Sequence, residues 1–383
     1  METEFRQGRF ANLIGNMSSN TTNDTVTADD PYSNLWGKRS EHVLAVIGFL
    51  LIVIIIGTIF GNALVILSPL KNRRLQTVSN YYIISLAVAD LLVGIAVLPF
   101  SAIYELRRVW DFGPFFCNIY VSCDVMFCTA SMLSLFAISI DRYMAITDPM
   151  TYHVKMTSGR ALTFIGVVWL VSFLISFVPL HLGWNTEDGN VQNYATPTQC
   201  AFEHNPTYSL VDGIVLFFIP LIVMCVTYLR VLMIARQQAR KINAGAITQR
   251  RESVILKSKS AVDEHKATKI LAVVMGCFVI CWVPYFLAFT FCPLGKCNVS
   301  YDAFALLLWL GYVNSTINPI LYALLNREFR KAFRRLTCCC RKEQRERPSW
   351  ASASDSSENT RKRNPTSTGP SVIDGTISMT DRA

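Results

Sequence analysis

Eight runs of this chain, residues 42 to 70, 75 to 89, 112 to 123, 125 to 140, 161 to 186, 213 to 229, 270 to 295 and 303 to 326, contain no Asp, Glu, Lys or Arg. Several exceed the roughly 20 apolar residues that carry a helix across a bilayer. Joining the runs broken only by Asp90 and Asp124, and extending the fifth across Asp212, leaves seven spans. They are predicted at 43 to 70, 77 to 103, 113 to 141, 161 to 182, 206 to 230, 268 to 292 and 303 to 325. Charged residues make up 16% of the whole, against about 25% in soluble domains. The expected fold is an all-α membrane protein, a seven-transmembrane helix bundle. Soluble-enzyme, collagen and disordered classes are excluded.

An odd number of spans puts the termini on opposite sides. The segments 71 to 76, 141 to 160, 230 to 269 and 327 to 383 hold 29 of the 36 Lys and Arg residues, and basic loops stay in the cytoplasm. The C-terminus is therefore expected to be cytoplasmic and the N-terminus extracellular, in a multi-pass plasma-membrane protein. The net charge of +9 gathers on those inner loops, which serve either as anchors on the anionic bilayer surface or as partner contacts. Uncharged runs of this length exclude nucleic acid as a partner.

Residues 1 to 41 lack the apolar core of a cleaved signal peptide, so the first span is expected to direct insertion. Sequons at Asn16, Asn20 and Asn23, with another at Asn298, suit glycosylation on the outer side. Residues 42 to 325 form the seven-span bundle. Residues 326 to 340 read as an amphipathic interfacial helix, with Phe329 and Phe333 one turn apart. Cys338, Cys339 and Cys340 follow it as palmitoylation candidates; a cytosolic metal site would need a histidine that is not nearby. The polar segment 341 to 383 reads as a disordered cytoplasmic tail. Cys117 and Cys200 lie on the oxidising side, where a bridge would pin the loop before the fifth span over the bundle mouth. Cys292 and Cys297 are close enough for a small loop bridge, although spacing alone does not decide pairing.

Ionisable groups inside a bilayer are costly and mark function. Asp124 lies two helical turns, about 10 Å, inward of Cys117, and no span carries a lysine or arginine near that depth to neutralise it. Leaving such a carboxylate unpaired costs several kcal/mol, which an incoming ammonium would offset. Tyr312 can donate to it without neutralising it. Asp212, eight residues before Pro220, also falls in the outer half. Two carboxylates opening into one cavity favour a ligand with a cation at one end and N–H donors at the other. Trp282, Tyr285, Phe286 and Phe289 supply aromatic walls that attract ammonium groups. Asp90 has a different neighbourhood. Ser131, Asn314, Ser315 and Asn318 offer oxygens at its depth, suiting an allosteric sodium ion; a proton relay is the rival. No other cofactor is expected. A transporter would show broken helices in matched halves, and a retinal pump a lysine in the seventh span. Neither is present. Nor is there a nucleophile, base and oxyanion arrangement that would make this an enzyme.

Gly61-Asn62, Leu86-Ala87-Val88-Ala89-Asp90, Asp141-Arg142-Tyr143, Trp169, Pro220 with Tyr228, Cys281-Trp282-Val283-Pro284 and Asn318-Pro319-Ile320-Leu321-Tyr322 stand one set per span, in order. Together they resemble the rhodopsin-like G-protein-coupled receptors over about residues 42 to 340. Asp124 falls at the amine-binding aspartate of that family's biogenic-amine group. Leu98-Pro99-Phe100-Ser101-Ala102-Ile103-Tyr104, Phe116-Cys117-Asn118-Ile119-Tyr120, His181-Leu182-Gly183-Trp184-Asn185, Leu210-Val211-Asp212-Gly213 and Trp309-Leu310-Gly311-Tyr312 resemble its type-2 histamine branch.

The resemblance implies that Asp124, beside Val125 and Cys128, holds a histamine ethylammonium. Asp212 would hold the imidazole, with Tyr208 one turn above. Leu216 departs from the branch, which has threonine there, so another monoamine or diamine would also satisfy the two carboxylates. For transmission, an Arg142–Glu264 contact would hold the inner ends of spans three and six together, with Asp141 and Tyr143 alongside. Tyr228 and Tyr322 would receive Arg142 once it opens, and Pro284 and Pro319 would bend their helices. The implied partners are a heterotrimeric G protein of the stimulatory class, raising cyclic AMP, then arrestin and a receptor kinase.

Overall fold

The computed structural model describes residues 40–246, 252–295, 297 and 299–337. The sequons at Asn16, Asn20, Asn23 and Asn298, the cysteines Cys338, Cys339 and Cys340, and the tail lie outside the described residues. Among the described residues every regular element is helical. Seven helices are long and apolar enough to cross a membrane: Glu41–Lys71, Val78–Arg107, Gly113–Thr147, Ser158–His181, Pro206–Ile234, Ala272–Leu294 and Tyr301–Leu325. They are the seven expected spans. The third runs past Asp141 because that carboxylate is matched on the spot: it is 2% exposed and accepts from Arg142 Nε at 3.0 Å and Tyr152 Oη at 2.7 Å.

The bundle is apolar on both sides of its helices. Phe49, Leu50, Val53, Ile56 and Phe60 of the first span and Leu162, Phe164, Val167 and Leu170 of the fourth are exposed, an arrangement only lipid makes favourable. Inward-facing residues Leu86, Leu135, Met224, Val274 and Phe278 join into one core. After the seventh span a short helix, Arg327–Thr337, turns away. It buries Phe329 against Tyr322, with ring centroids 5.5 Å apart.

Prolines shape the helices that carry the site. A proline has no N–H for the carbonyl four residues back, and its ring crowds that carbonyl. Two spans answer with a widened π-helical turn just before the proline: Val93–Val97 ahead of Pro99, and Gly213–Phe218 ahead of Pro220. Such turns recur at functional sites. In the seventh span Pro319 frees the Ser315 carbonyl, and Asn62 Nδ2 donates to it at 3.0 Å. Gly61 permits that approach, since a Cβ there would lie 2.9 Å from the Pro319 ring. Gly61-Asn62 and Asn318-Pro319 are thus two halves of one contact.

Candidate functional site

Two disulfides, Cys117–Cys200 and Cys292–Cys297, mark one end of the bundle. The first ties the loop after the fourth span to the start of the third. Amide side chains then hold that loop in place. Asn118 Nδ2 donates to the Gln192 carbonyl at 3.0 Å, and Asn193 pairs with Ala201 in both directions. Gln192 Oε1 accepts from Glu203 N at 2.9 Å and from Asn185 Nδ2 at 2.8 Å. Asn205 caps the fifth span through Tyr208 N at 2.7 Å. Residues Ala201, Phe202 and His204 consequently roof a cavity of about 340 Å³.

That cavity brings Asp124 of the third span and Asp212 of the fifth into one space, with Val125, Cys128, Trp282, Tyr285, Phe286 and Phe289 in its walls. Asp124 accepts from Tyr312 Oη at 2.7 Å and from Cys128 Sγ at 3.4 Å. Both donors are neutral. Among the described residues no lysine or arginine pairs with Asp124 or Asp212, and none lines the cavity. The aromatic wall is continuous: Trp282 meets Tyr285 at 5.9 Å, Tyr285 stacks on Phe289 at 5.9 Å, and Phe217 stacks on Phe286 at 3.9 Å. Gly311 allows Trp282 to lie against the seventh span, where a Cβ would meet its ring at 2.8 Å.

Tyr208 and Tyr312 are not part of the lining. Tyr312 acts on the cavity through Asp124, and the Tyr208 hydroxyl is buried with no protein partner. Leu216, one turn below Asp212, is in the wall. Several lining residues were not singled out in the sequence, chiefly Glu105, Phe202, His204 and Phe304. His204 sits 4.8 Å from the Phe289 ring and stacks over Phe304 at 6.5 Å, while its Nδ1 lies 2.9 Å from the Phe202 carbonyl. Burial pushes its imidazole below the ordinary histidine value. The only signal for the loop residues Phe202 and His204 was their closeness to Cys200.

Deeper in the bundle, Asp90 is fully buried. One of its oxygens accepts from Ser131 and Ser315, each at 2.9 Å, and the other from Asn318 Nδ2 at 2.8 Å. Asn314, expected beside them, makes no bond to Asp90. Both of its polar side-chain atoms, and Asn318 Oδ1, are buried without a protein partner. The four groups thus do not all converge on the carboxylate, because donors from two facing helices already fill it. At the end away from the disulfides, Arg142 pairs with Asp141 Oδ2 at 2.5 Å and with the Ser79 hydroxyl. Tyr228 and Tyr322 are buried near the same core, and neither bonds Arg142 among the described contacts. The side chain of Glu264 lies outside the described residues. A half-buried carboxylate without a resident cation, in an aromatic-walled space, is chemically suited to take a cation from solution.

Residues 61–322 match the family described as "7 transmembrane receptor (rhodopsin family)". The Histamine H2 receptor of Cavia porcellus is 47% identical over 294 residues, which is 76% of this chain and 79% of the relative. The Homo sapiens Histamine H2 receptor is also 47% identical, over 290 residues, 76% of this chain and 78% of the relative. The Alpha-1A adrenergic receptor of Oryzias latipes is 38% identical over 337 residues, 78% of this chain and 70% of the relative.

Proposed function

This chain belongs to the rhodopsin family of seven-transmembrane receptors, and on that footing we propose that it senses a small biogenic amine, histamine above others, and signals through the stimulatory G protein to raise cyclic AMP. One observation carries the reading: Asp124 and Asp212 face a single aromatic-walled cavity that is lined by no lysine or arginine among the described residues. The ammonium of histamine would pair with Asp124, already oriented by Tyr312. Its imidazole N–H would donate to Asp212, and the ring would lie against Tyr285, Phe286 and Phe289. Similarity to two Histamine H2 receptors at 47% identity supports the ligand, and the type-2 resemblance of the motifs supports the stimulatory class. Leu216 removes one donor partner near Asp212 and lowers selectivity against other amines.

Binding would act by population shift. A ligand packed against Trp282 would change the balance of a helix that carries Pro284 in its interior, where a proline favours a kink. Displacement at the far end then opens a groove for the C-terminal helix of the G protein. This requires the disulfide end to be extracellular and the Arg142 end cytoplasmic, as the loop charges predict. The Asp90 cluster suits a sodium ion, because Asn314 Oδ1 and Asn318 Oδ1 are buried acceptors without donors. Asp90, Ser131, Ser315 and those amides would hold it, contributing a positive charge that favours the resting arrangement. A panel of amines, read by cyclic AMP and by calcium in cells expressing the full chain, tests the assignment. Silence to every amine at normal surface expression would refute it.

A further inference from the structure

The two carboxylates of the cavity are held in different ways. Asp124 accepts from Tyr312 and Cys128. Asp212 accepts no hydrogen bond among the described residues, and Tyr208, one turn above it, keeps its hydroxyl buried without a protein partner. The place of Asp212 in the cavity is therefore set by where the backbone of the fifth span lies. Its neighbour Gly213 is buried and opens the π-helical turn Gly213–Phe218. The φ of Gly213 is −62°, an ordinary helical value, so backbone freedom does not call for glycine, which is destabilising in a helix relative to alanine. The sixth span does call for it. A Cβ on Gly213 would overlap Thr290 Oγ1 and lie 3.0 Å from both Thr290 Cβ and Thr290 Cγ2. Turning the threonine about χ1 does not relieve this, because its Cβ stays where it is. Thr290 is fully buried and its hydroxyl has no protein partner, so the two spans meet here by shape and not by a hydrogen bond. One turn deeper, Phe217 stacks on Phe286 at 3.9 Å. Ser209, Gly213 and Phe217 make the buried stripe of the fifth span, while Val211, Ile214 and Val215 are exposed. Small residues at such a stripe let membrane helices approach closely.

We propose that Gly213 and Thr290 are positioning residues for the far end of the ligand: their close approach fixes the fifth span so that Asp212, which no side chain orients, meets the ring N–H. The proposal rests on the amine-receptor reading above and deepens it, since neither residue lines the cavity. A methyl group on Gly213 must push the fifth span away from the sixth, and Asp212 moves with it. Asp124, on the third span with its own donors, stays. Recognition of the ring should therefore fail while recognition of the ammonium survives.

The test compares histamine with 2-phenylethylamine, which has the same ethylammonium and no ring N–H, by cyclic AMP dose–response in cells expressing the full chain at matched surface density. Gly213→Ala is expected to lower the preference for histamine about ten-fold or more, the change that losing a hydrogen bond to a charged group produces. In a Thr290→Ala background, where Oγ1 and Cγ2 are gone, the same Gly213→Ala change should lower it only about three-fold or less. Thr290→Val puts a methyl in place of the smaller hydroxyl and crowds the contact from the other side. It should lower the preference about three-fold or more, which keeps the proposal exposed if Gly213→Ala does not reach the surface. A merely structural role would weaken both amines together. An unchanged preference in surface-expressed Gly213→Ala or in Thr290→Val, or an equal Gly213→Ala effect in both backgrounds, overturns the proposal. Asp212→Asn separates the two readings: if it leaves the preference intact, imidazole recognition by Asp212 fails and takes this proposal with it, whereas if it abolishes the preference and Gly213→Ala does not lower it, this proposal alone fails.

Discussion

Tyr312 of the seventh span donates its hydroxyl to Asp124 of the third over 2.7 Å, which orients the carboxylate while leaving its charge uncancelled. Asp124→Asn keeps the shape and removes the charge. Amine potency should fall about 100-fold or more, equivalent to about 3 kcal/mol. Tyr312→Phe removes only the orienting bond, and a hydrogen bond to a charged group is worth about 1.5–3 kcal/mol, so a loss of about ten-fold or more is expected. Dose–response curves at matched surface expression measure both. A Tyr312→Phe loss as large as that of Asp124→Asn would show that the charge is not what the ligand reads.

Asp212 and Leu216 line the same cavity, and in the proposed pose they would face the imidazole end of histamine. Asp212→Asn should weaken histamine more than a simple monoamine of similar size, since only histamine places an N–H donor there. Leu216→Thr should strengthen histamine by about 1 kcal/mol, the worth of one further neutral hydrogen bond. Equal losses for both ligands in Asp212→Asn would remove imidazole recognition from the account.

The seven spans were legible because the feature that defines them, freedom from charge over a bilayer's width, is written residue by residue. Asp124 and Asp212 were legible for the same reason: a carboxylate inside such a run stands out. The π-helical turns were not. They accommodate the missing N–H and the ring crowding of Pro99 and Pro220, and a proline alone is equally compatible with a simple kink. Phe202 and His204 were also missed. A loop's path depends on long-range amide bonds such as Asn118 to Gln192, which leave no periodic trace.

Asp90 accepts from three neutral donors on two facing helices, and a cation there would be coupled to agonist binding through the seventh span. Replacing N-methyl-glucamine by sodium should lower agonist affinity about five-fold or more, in the usual range of allosteric coupling. Asp90→Asn should make binding insensitive to the exchange. Competition binding in the two salts checks it, and a sodium effect that survives in Asp90→Asn would move the ion elsewhere.

His204 makes the cavity roof sensitive to acid. Burial favours its neutral form, so its folded-state pKa lies below the unfolded value of about 6.5. The sign follows: the neutral ring contributes its full stability above that unfolded value, and the contribution erodes as pH falls through it toward the folded pKa. A proton on His204 also puts a cation into the space a cationic ligand must enter, near Asp212 and Glu105 in the same cavity lining. Ligand binding should therefore weaken on acidification through that window. Histamine's own ring titrates as well, and comparison with His204→Phe, which keeps an aromatic ring beside Phe289 and Phe304, cancels that contribution. Between pH 7.4 and 5.5 the wild-type receptor should lose about three-fold more affinity than His204→Phe, a modest electrostatic effect for charges separated by a partly polar space. Superimposable pH profiles from the two proteins would show that the imidazole stays neutral throughout, or lies too far from the bound cation to matter.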